Sequence, residues 1–230
     1  MTSTTDTAVP WIEQLESTLE SFDEAGGHRV LSRAFEQLGV EDALIDVVMP
    51  YLRHLGCRWE NGHIGVAQEH FASNVIRSRL SVLLHAQRGA TGPLVVLACM
   101  PGERHEFGLL AMALTLARLG AQVAYLGANT PTPELVRSAR TLGPRAVVLS
   151  ANRRTAFAAH ATALRRVGGL STVHIAGPGA TAEVAGLCEA QLVTGDPVEG
   201  ARALYETLSD GRTLVATGAV APQPVADEVG

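Results

Sequence analysis

The chain contains no lysine, since all 18 of its basic residues are arginine. A Schiff base to a carbonyl cofactor needs a lysine amine, so the sequence excludes pyridoxal-phosphate enzymes and retinal proteins. Cysteine is also scarce. Cys57, Cys99 and Cys188 lie far apart and form no Cys-x-x-Cys pair, which argues against a zinc site or a disulfide framework. We expect each of the three to be a small buried side chain.

The chain also lacks a basic surplus and a long apolar run. Its formal net charge is −5, whereas a DNA-binding domain normally shows a basic face. No apolar run is long enough to cross a bilayer, and the N-terminus does not read as a secretory leader. With 47% hydrophobic and 18% charged residues, the composition is that of a globular protein. We therefore expect a cytoplasmic protein with no membrane partner.

What the chain does contain is an all-helical part followed by an alternating part. Between Trp11 and Gln87, apolar residues recur at helical spacing in four segments, which predicts a four-helix bundle. Pro50 is expected to bend the third helix. The Gly- and Pro-containing stretch 89–93 marks the boundary. The expected divisions are an unstructured lead-in at 1–10, the bundle at 11–88, an α/β domain at 93–210 and a flexible tail at 211–230.

The second part alternates strands and helices, which predicts a doubly wound parallel sheet of the Rossmann or flavodoxin type. Ligands of such sheets bind outside the carboxyl ends of the strands. Strands are expected near 94–99, 122–126, 146–150, 173–176 and 190–194, and helices near 107–119, 132–142, 155–166 and 181–187.

The loop after the first predicted strand carries Glu103, His105 and Gly108 in a Glu-x-His-x-x-Gly pattern. His105 is expected at the carboxyl end of that strand. A ligating imidazole usually donates its other N–H to a carboxylate, and Glu103 is close enough in sequence to accept it. Alternatively, Glu103 faces solvent as a charge at a helix N-terminus. Taken alone, the motif is also compatible with an ordinary loop that binds nothing.

Two later strand ends carry small or polar residues. Ser150 and Asn152 follow the third strand, and Gly177 and Gly179 follow the fourth. Either pair alone is typical of an ordinary strand end or turn. Together with His105, they place three candidate elements in order on successive strand ends, which favours one ligand lying along this edge.

In the helical part, the stretch from Gly56 to Ser73 is interpreted as an interhelix loop bearing Trp59, followed by a helix that opens with Glu69 and His70. A tryptophan in such a place is most often a core residue. Adjacent helical residues point about 100° apart, so the Glu-His pair forms no common face unless a loop closes over it.

These two segments resemble known cobalamin-binding sequences. The 103–108 motif is a variant of the Asp-x-His-x-x-Gly signature of B12-binding domains. The 59–73 segment is similar to the Trp-x-x-Gly…Val-Ala-x-Glu-His-Phe-Ala-Ser pattern of CarH-type B12-dependent photoreceptors. The likeness covers about residues 11 to 209.

The resemblance implies a light-sensing, non-enzymatic protein that holds adenosylcobalamin between bundle and sheet. His105 would be the lower axial ligand of cobalt, and light would cleave the cobalt–carbon bond. Trp59, Glu69 and His70 would cover the upper face. The remaining implied cofactor contacts are Glu60, Val66, Glu103, Arg104, Glu106, Gly108, Ser150, Asn152, Gly177 and Gly179.

The chain departs from that family at several points. It has no N-terminal winged helix-turn-helix, so we expect no direct DNA binding, and the output would be a change in a homo-oligomer or in binding to a downstream protein. Glu60 replaces the histidine that captures cobalt after photolysis, so stable two-histidine capture would require His63 or His70. Ala176 replaces one glycine of the usual Gly-Gly pair.

Three alternatives stay open. A stand-alone photocobilin type would bind biliverdin as a second chromophore, with Cys57 as a candidate thioether anchor. A corrinoid carrier of a methyltransferase system shares the same domain plan and the lower histidine, but it does not need a cap for an adenosyl group. A mutase subunit is disfavoured because the chain holds no substrate-binding barrel.

Overall fold

The computed structural model describes residues 4–210, with side chains described from residue 9 onward. The N-terminal part is a bundle of four helical stretches, as predicted, and the third stretch contains a π-helical segment. Its elements are α1 (Thr4–Glu20), α2 (Glu24–Leu38), α3 (Val40–Ala43), the π-helical segment (Leu44–Val48), α4 (Met49–Glu60) and α5 (Val66–His85).

The apolar stripes found in the sequence form the bundle core. Trp11, Leu15 and Leu19 of α1 pack with Leu31 of α2 and Tyr51 of α4, and all five are buried. Helix α2 begins where the Asp23 carboxylate accepts a hydrogen bond from the backbone N–H of Gly26 at 2.8 Å. This cap satisfies one of the N–H groups that the first turn of a helix leaves unpaired.

The expected bend at Pro50 takes the form of a wider helical turn just before it. The N–H of Met49 donates to the carbonyl of Leu44, five residues earlier, as in a π-helix. Proline has no N–H and cannot continue the ordinary pattern to the carbonyl four residues before it. The π-helical segment lets the helix pass this position without ending.

Two boundaries in the bundle differ from the sequence-based expectation. Helix α1 begins at Thr4 rather than after an unstructured lead-in to residue 10, and it contains Pro10. A proline lacks the N–H that would donate to the carbonyl four residues earlier, but the residues before it can keep their own backbone hydrogen bonds, so the helix can extend to its N-terminal side. Helix α4 continues to Glu60, so Trp59 lies on its last turn and not in a loop.

The second part has five strands and six helices among the described residues. The strands are β1 (Leu94–Cys99), β2 (Gln122–Gly127), β3 (Ala146–Ser150), β4 (Thr172–Ala176) and β5 (Gln191–Leu192). The helices are α6 (Phe107–Arg118), α7 (Thr132–Leu142), α8 (Arg154–Ala158), α9 (Ala161–Gly168), α10 (Ala182–Cys188) and α11 (Pro197–Ser209).

The sheet is parallel throughout, in the order β2-β1-β3-β4-β5, which confirms the predicted fold class. This is the flavodoxin-like order, in which the direction of winding reverses between β1 and β3. Helices cover both faces. Leu109 of α6 and Leu204 of α11 belong to the core on one face, whereas Leu135 of α7 and Leu164 of α9 belong to the core on the other.

Two helical elements of this domain differ from the prediction. The single helix expected over 155–166 is divided into α8 and α9, with His160 at the junction. Helix α11 was not predicted, although Asp196 begins it with a capping box in which its carboxylate accepts from the N–H groups of Val198 and Glu199. The predicted tail at 211–230 lies outside the described residues.

Helix α6 joins the two parts. Its face that carries Leu110, Ala111 and Leu114 belongs to the bundle core, while its opposite face packs on the sheet. At its C-terminal end, the Nε–H of Arg118 donates to the carboxylate of Glu41 in α3 at 2.8 Å. No helix in the described part of the chain is long and apolar enough to cross a membrane.

Candidate functional site

The three predicted strand ends lie side by side at one edge of the sheet. Parallel pairing aligns Cys99, the last residue of β1, with Ser150 of β3 and Ser150 with Ala176 of β4. The loop that contains His105 leaves β1 at this edge. The structure therefore brings the first, third and fourth strand ends together at the point where the direction of winding reverses, which is where ligands of such sheets bind.

Glu103 connects two of these loops. Its Oε1 accepts hydrogen bonds from the backbone N–H of His105 at 2.8 Å and from the imidazole Nδ1 of His105 at 2.6 Å. Its Oε2 accepts from the backbone N–H of Asn152, at the end of β3, at 2.7 Å. Glu103 is only 7% exposed, so the alternative in which it faces solvent is wrong. Its extra methylene, compared with aspartate, is compatible with all three contacts.

Burial disfavours the charged form of Glu103 and by itself raises its pKa. The hydrogen bonds from Asn152 and from the backbone and imidazole of His105 outweigh this effect, and they hold the pKa of the Glu103 carboxyl below its usual value. A carboxylate can only accept, so Nδ1 of His105 carries the proton. In the neutral imidazole the other ring nitrogen, Nε2, then has a free lone pair, and the side chain that bears it is 76% exposed.

This donor set fits cobalt in a corrin. A neutral imidazole suits cobalt, and a carboxylate on the second ring nitrogen is the usual way to orient it. Within the described residues, no group of three or more His, Cys, Asp or Glu side chains could hold a bare metal ion. The site thus offers a single oriented imidazole, which matches a metal whose other ligands come from a macrocycle.

A residue that the sequence did not single out supports the same loop. The side-chain oxygen of Asn129, in the loop after β2, accepts from the backbone N–H of Gly102 at 2.7 Å, and the backbone N–H of Asn129 donates to the carbonyl of Glu103 at 2.8 Å. Asn129 has a φ of +51°, which asparagine tolerates better than most residues. The feature of the sequence that could have indicated this role is an asparagine just after a predicted strand.

The glycine turn after β4 packs directly on the loop after β3. A Cβ added to Gly177 would lie 2.9 Å from the carbonyl oxygen of Ala151, and one added to Gly179 would lie 2.6 Å from the carbonyl carbon of Arg153. Gly177 also has a φ of +88°, which favours glycine. These two glycines are therefore required by the close approach of the two loops. Ser150 is buried beside Gly177, and the side chain of Asn152 is exposed.

The other predicted residues of the 103–108 motif lie in different surroundings. Arg104 is exposed. Glu106 is buried, and its carboxylate contacts Arg77 of α5 and accepts a hydrogen bond from the Tyr125 hydroxyl at 2.8 Å. A Cβ at Gly108 would meet Pro197 and Met49 at ordinary contact distances, so this glycine faces the junction of the two domains.

On the bundle side, the predicted upper-face residues lie at the end of α4 and the start of α5. Trp59 is 47% exposed, and Val66 is also exposed. The carboxylate of Glu69 accepts from the Ser73 hydroxyl at 2.7 Å, while His70 is exposed. Glu60, next to the tryptophan, is exposed as well.

Helix α5 relates this upper set to the His105 loop. Glu69, Ser73 and Arg77 are spaced four residues apart and lie along one side of the helix. At 1.5 Å per residue, Glu69 is about 12 Å along the axis from Arg77. Arg77 contacts Glu106, the residue after His105. The same side of α5 thus runs from the loop of the candidate lower ligand to the candidate upper-face residues.

A separate cleft lies away from the predicted site residues. A space of about 430 Å³ lies between the C-terminal end of α5, helix α6 and the edge strand β2. Its walls include Leu84, His85, Arg88, Val123 and Tyr125, and it contains none of the predicted site residues. The chemistry of the oriented imidazole identifies the candidate site better than cavity size does.

Cys57, predicted to be buried, is exposed, whereas Cys99 and Cys188 are buried.

Comparison with known proteins agrees with this geometry. Residues 11–84 match one family of B12 binding domains, and residues 93–206 match a second. These two domains belong to the B12-binding families. The match covers both the bundle and the sheet, so the chain is a cobalamin-binding module in which each part corresponds to a known type of B12 domain.

Two curated relatives come from Myxococcus xanthus. The chain is 39% identical over 143 residues to the HTH-type transcriptional repressor CarH, covering 62% of this chain and 48% of CarH. It is also 39% identical over 123 residues to the HTH-type transcriptional repressor CarA, covering 53% of this chain and 41% of CarA. The chain therefore spans about half the length of the curated relatives it matches. Both are named as repressors and not as enzymes, in agreement with the prediction of a binding module.

Among solved structures, the monomethylamine corrinoid protein of Methanosarcina barkeri has the same fold. The TM-score is 0.68 at 17% identity, and the match covers 84% of this chain and 96% of the corrinoid protein. At this identity the likeness concerns the fold alone. It confirms the arrangement of a helical bundle followed by a parallel five-stranded sheet.

Proposed function

We propose that this chain is a light sensor that binds adenosylcobalamin between the bundle and the carboxyl edge of the sheet, with His105 as the lower axial ligand. The observation that carries the proposal is the contact between Glu103 and His105, which leaves Nε2 of an exposed imidazole available. Cobalamin supplies a cobalt–carbon bond that visible light breaks. The residues of this chain bind, orient and cover it.

The lower half of the proposed site depends on Glu103. Its carboxylate holds the proton on Nδ1 of His105 and ties the loop to β3 through the N–H of Asn152. The hydrogen bond to Glu103 thereby orients the imidazole, and such an orientation reduces the cost of ordering the side chain on binding. We propose that the edge formed by Ser150, Gly177 and Gly179 lines the path of the nucleotide tail.

The upper half of the proposed site consists of Trp59, Val66, Glu69 and His70. The exposed faces of Trp59 and Val66 would gain apolar contacts by covering an adenosyl group. Glu69 provides a hydrogen-bond acceptor that is held by Ser73. A methyl group on cobalt would need no such cover, so this half favours the sensor over a corrinoid carrier of a methyltransferase system.

The proposed output is a change in assembly of the chain or in its binding to another protein. The two Myxococcus xanthus relatives are named as transcriptional repressors, which supports a regulatory role. We propose a homo-oligomer whose contacts change when the bundle and the sheet rearrange after illumination.

The central experiment compares dark and illuminated protein. The purified chain is incubated in the dark with adenosylcobalamin, and absorbance spectra and size-exclusion profiles are recorded before and after green or red light. Parallel samples contain methylcobalamin or biliverdin. The proposal predicts a spectral change and a change in elution with adenosylcobalamin. Absence of both changes would contradict it, and a light response that requires biliverdin would favour the two-chromophore type.

Two histidine variants test the lower ligand. His105→Ala should abolish the spectral signature of imidazole ligation, whereas the control His85→Ala removes an exposed histidine on α5 whose Nδ1 lies 2.7 Å from a carbonyl oxygen of its own helix. Unchanged ligation in His105→Ala would exclude this residue as the ligand.

The residue Glu60 leads to a further expectation for the illuminated state. Because glutamate is not an imidazole, stable two-histidine ligation would need the exposed His63 or His70. We expect the illuminated wild type to release cobalamin readily on gel filtration. A two-imidazole spectrum that persists in the double variant H63A/H70A would contradict this expectation.

A further inference from the structure

Three side chains meet where the bundle joins the His105 loop. The Glu106 carboxylate forms an ion pair with Arg77 of α5 and accepts a hydrogen bond from the Tyr125 hydroxyl of β2 at 2.8 Å. The Arg77 guanidinium also lies over the Phe107 ring, 5.1 Å from its centroid. We call Arg77, Glu106 and Tyr125 the interdomain triad.

The triad connects the two halves of the proposed cofactor site. Glu106 directly follows His105 and is the N-cap residue of α6. Arg77 lies two turns beyond Glu69 on the same side of α5. The ion pair is therefore a direct polar contact between the helix bearing the upper-face residues and the loop bearing the lower ligand, in addition to the apolar packing of α5 on α6.

Burial makes this attachment specific. The Glu106 side chain is only 8% exposed, and a buried carboxylate without a partner is strongly disfavoured. Desolvation raises the pKa of the Tyr125 hydroxyl, which keeps it protonated and able to donate. Gly127 leaves room for this arrangement, since a Cβ there would lie 3.2 Å from Oε2 of Glu106. The Glu106 carboxylate thus has both its ion pair and its hydrogen bond when α5 and the His105 loop are in this relative position.

A buried ion pair contributes little net stability compared with apolar residues of the same size, but it can select one geometry. We propose that the interdomain triad is a lock that fixes helix α5 relative to the His105 loop, and so sets the spacing between the lower ligand and the upper-face residues. Its members are positioning residues and do not contact cobalt. The inference rests on the proposed function for its ligand, whereas its geometry follows from the contacts of Arg77, Glu106 and Tyr125.

The test uses Arg77→Met and Glu106→Gln. Methionine keeps apolar contact with Phe107 and removes the charge. Arg118→Met is the matched control, because Arg118 also links the bundle to α6 through Glu41 but lies at the opposite end of that helix. The first measurement is hydrogen exchange in the apo protein over α5 and the start of α6. The second is the affinity for adenosylcobalamin and for hydroxocobalamin.

The lock predicts faster exchange over the start of α6 and the facing part of α5 in both triad variants and not in Arg118→Met. It also predicts adenosylcobalamin affinity weakened about tenfold, with a smaller loss for hydroxocobalamin, whose upper face has no adenosyl group for the bundle to cover. Unchanged exchange, or equal losses for the two cobalamins, would overturn it. The exchange result stands even if the wild type proves insensitive to light, so failure of the lock and failure of the sensor can be told apart.

Discussion

The Glu103 carboxylate is the most informative group to perturb, because it accepts three hydrogen bonds from two loops. Glu103→Gln preserves the shape of the side chain but removes its charge and replaces one acceptor oxygen with an NH₂ donor. The amide has only one oxygen. The N–H of Asn152 and the two N–H groups of His105 therefore cannot all keep their acceptor.

The size of the effect follows from the contacts that are lost. A hydrogen bond to a charged group contributes about 1.5–3 kcal/mol. We expect the free energy of unfolding of the apo chain to fall by about 2 kcal/mol, since one buried donor loses its partner. Removing the group that orients a metal-binding imidazole lowers affinity about 10- to 100-fold. We expect the affinity for adenosylcobalamin to fall within that range.

Urea unfolding of the apo chain and spectrophotometric titration with adenosylcobalamin in the dark measure the two quantities. Glu183→Gln is the control, because Glu183 is exposed and forms a 3.8 Å surface ion pair with Arg154, away from the His105 loop. Wild-type affinity in Glu103→Gln would refute the argument that this carboxylate orients His105. An equal loss in both variants would assign the effect to net charge and refute it as well.

Three further predictions concern the same regions. The pKa of the Glu103 carboxyl is lowered in the folded chain, so its carboxylate stabilises the fold above about pH 4.3, and this stabilisation is lost as the pH falls through the folded pKa. Acid should therefore destabilise the wild-type apo chain more than the Glu103→Gln variant, as measured by urea unfolding at several pH values. Gly179→Ala should lower the free energy of unfolding by about 1–3 kcal/mol, because the added Cβ would overlap the Arg153 backbone. Its control is Gly186→Ala in α10, where a Cβ meets open space, so that variant should be neutral or stabilising in the same assay. Trp59→Ala should leave apo thermal stability nearly unchanged, since the side chain is 47% exposed, but should weaken binding of adenosylcobalamin more than of hydroxocobalamin. A large loss of apo stability would instead make Trp59 a core residue.

Much of the fold could be predicted from local pattern. Strands β1 and β3 have the predicted bounds, and the helices of the bundle follow the apolar spacing. The prediction was wrong where the same local sequence pattern is compatible with two structures. The stretch around Trp59, predicted to be a loop, stays helical despite nearby glycines. The division of the 155–166 helix into α8 and α9 has no clear signal in the sequence.

The sequence by itself determined the two-domain plan, the parallel sheet, and the position of His105 at a strand end with Glu103 close enough to orient it. These properties depend on residues that are near one another in the chain, where periodicity and motif spacing carry the information.

The tertiary structure alone decided which distant groups complete the site. The N–H of Asn152 meets Glu103 across 49 positions, Asn129 holds Gly102 across 27, and Arg77 reaches Glu106 from another domain. No local pattern specifies such contacts, because they depend on how the strands align and how α5 packs on α6. Burial then gives them their strength, since charges and polar groups removed from water must find partners within the fold.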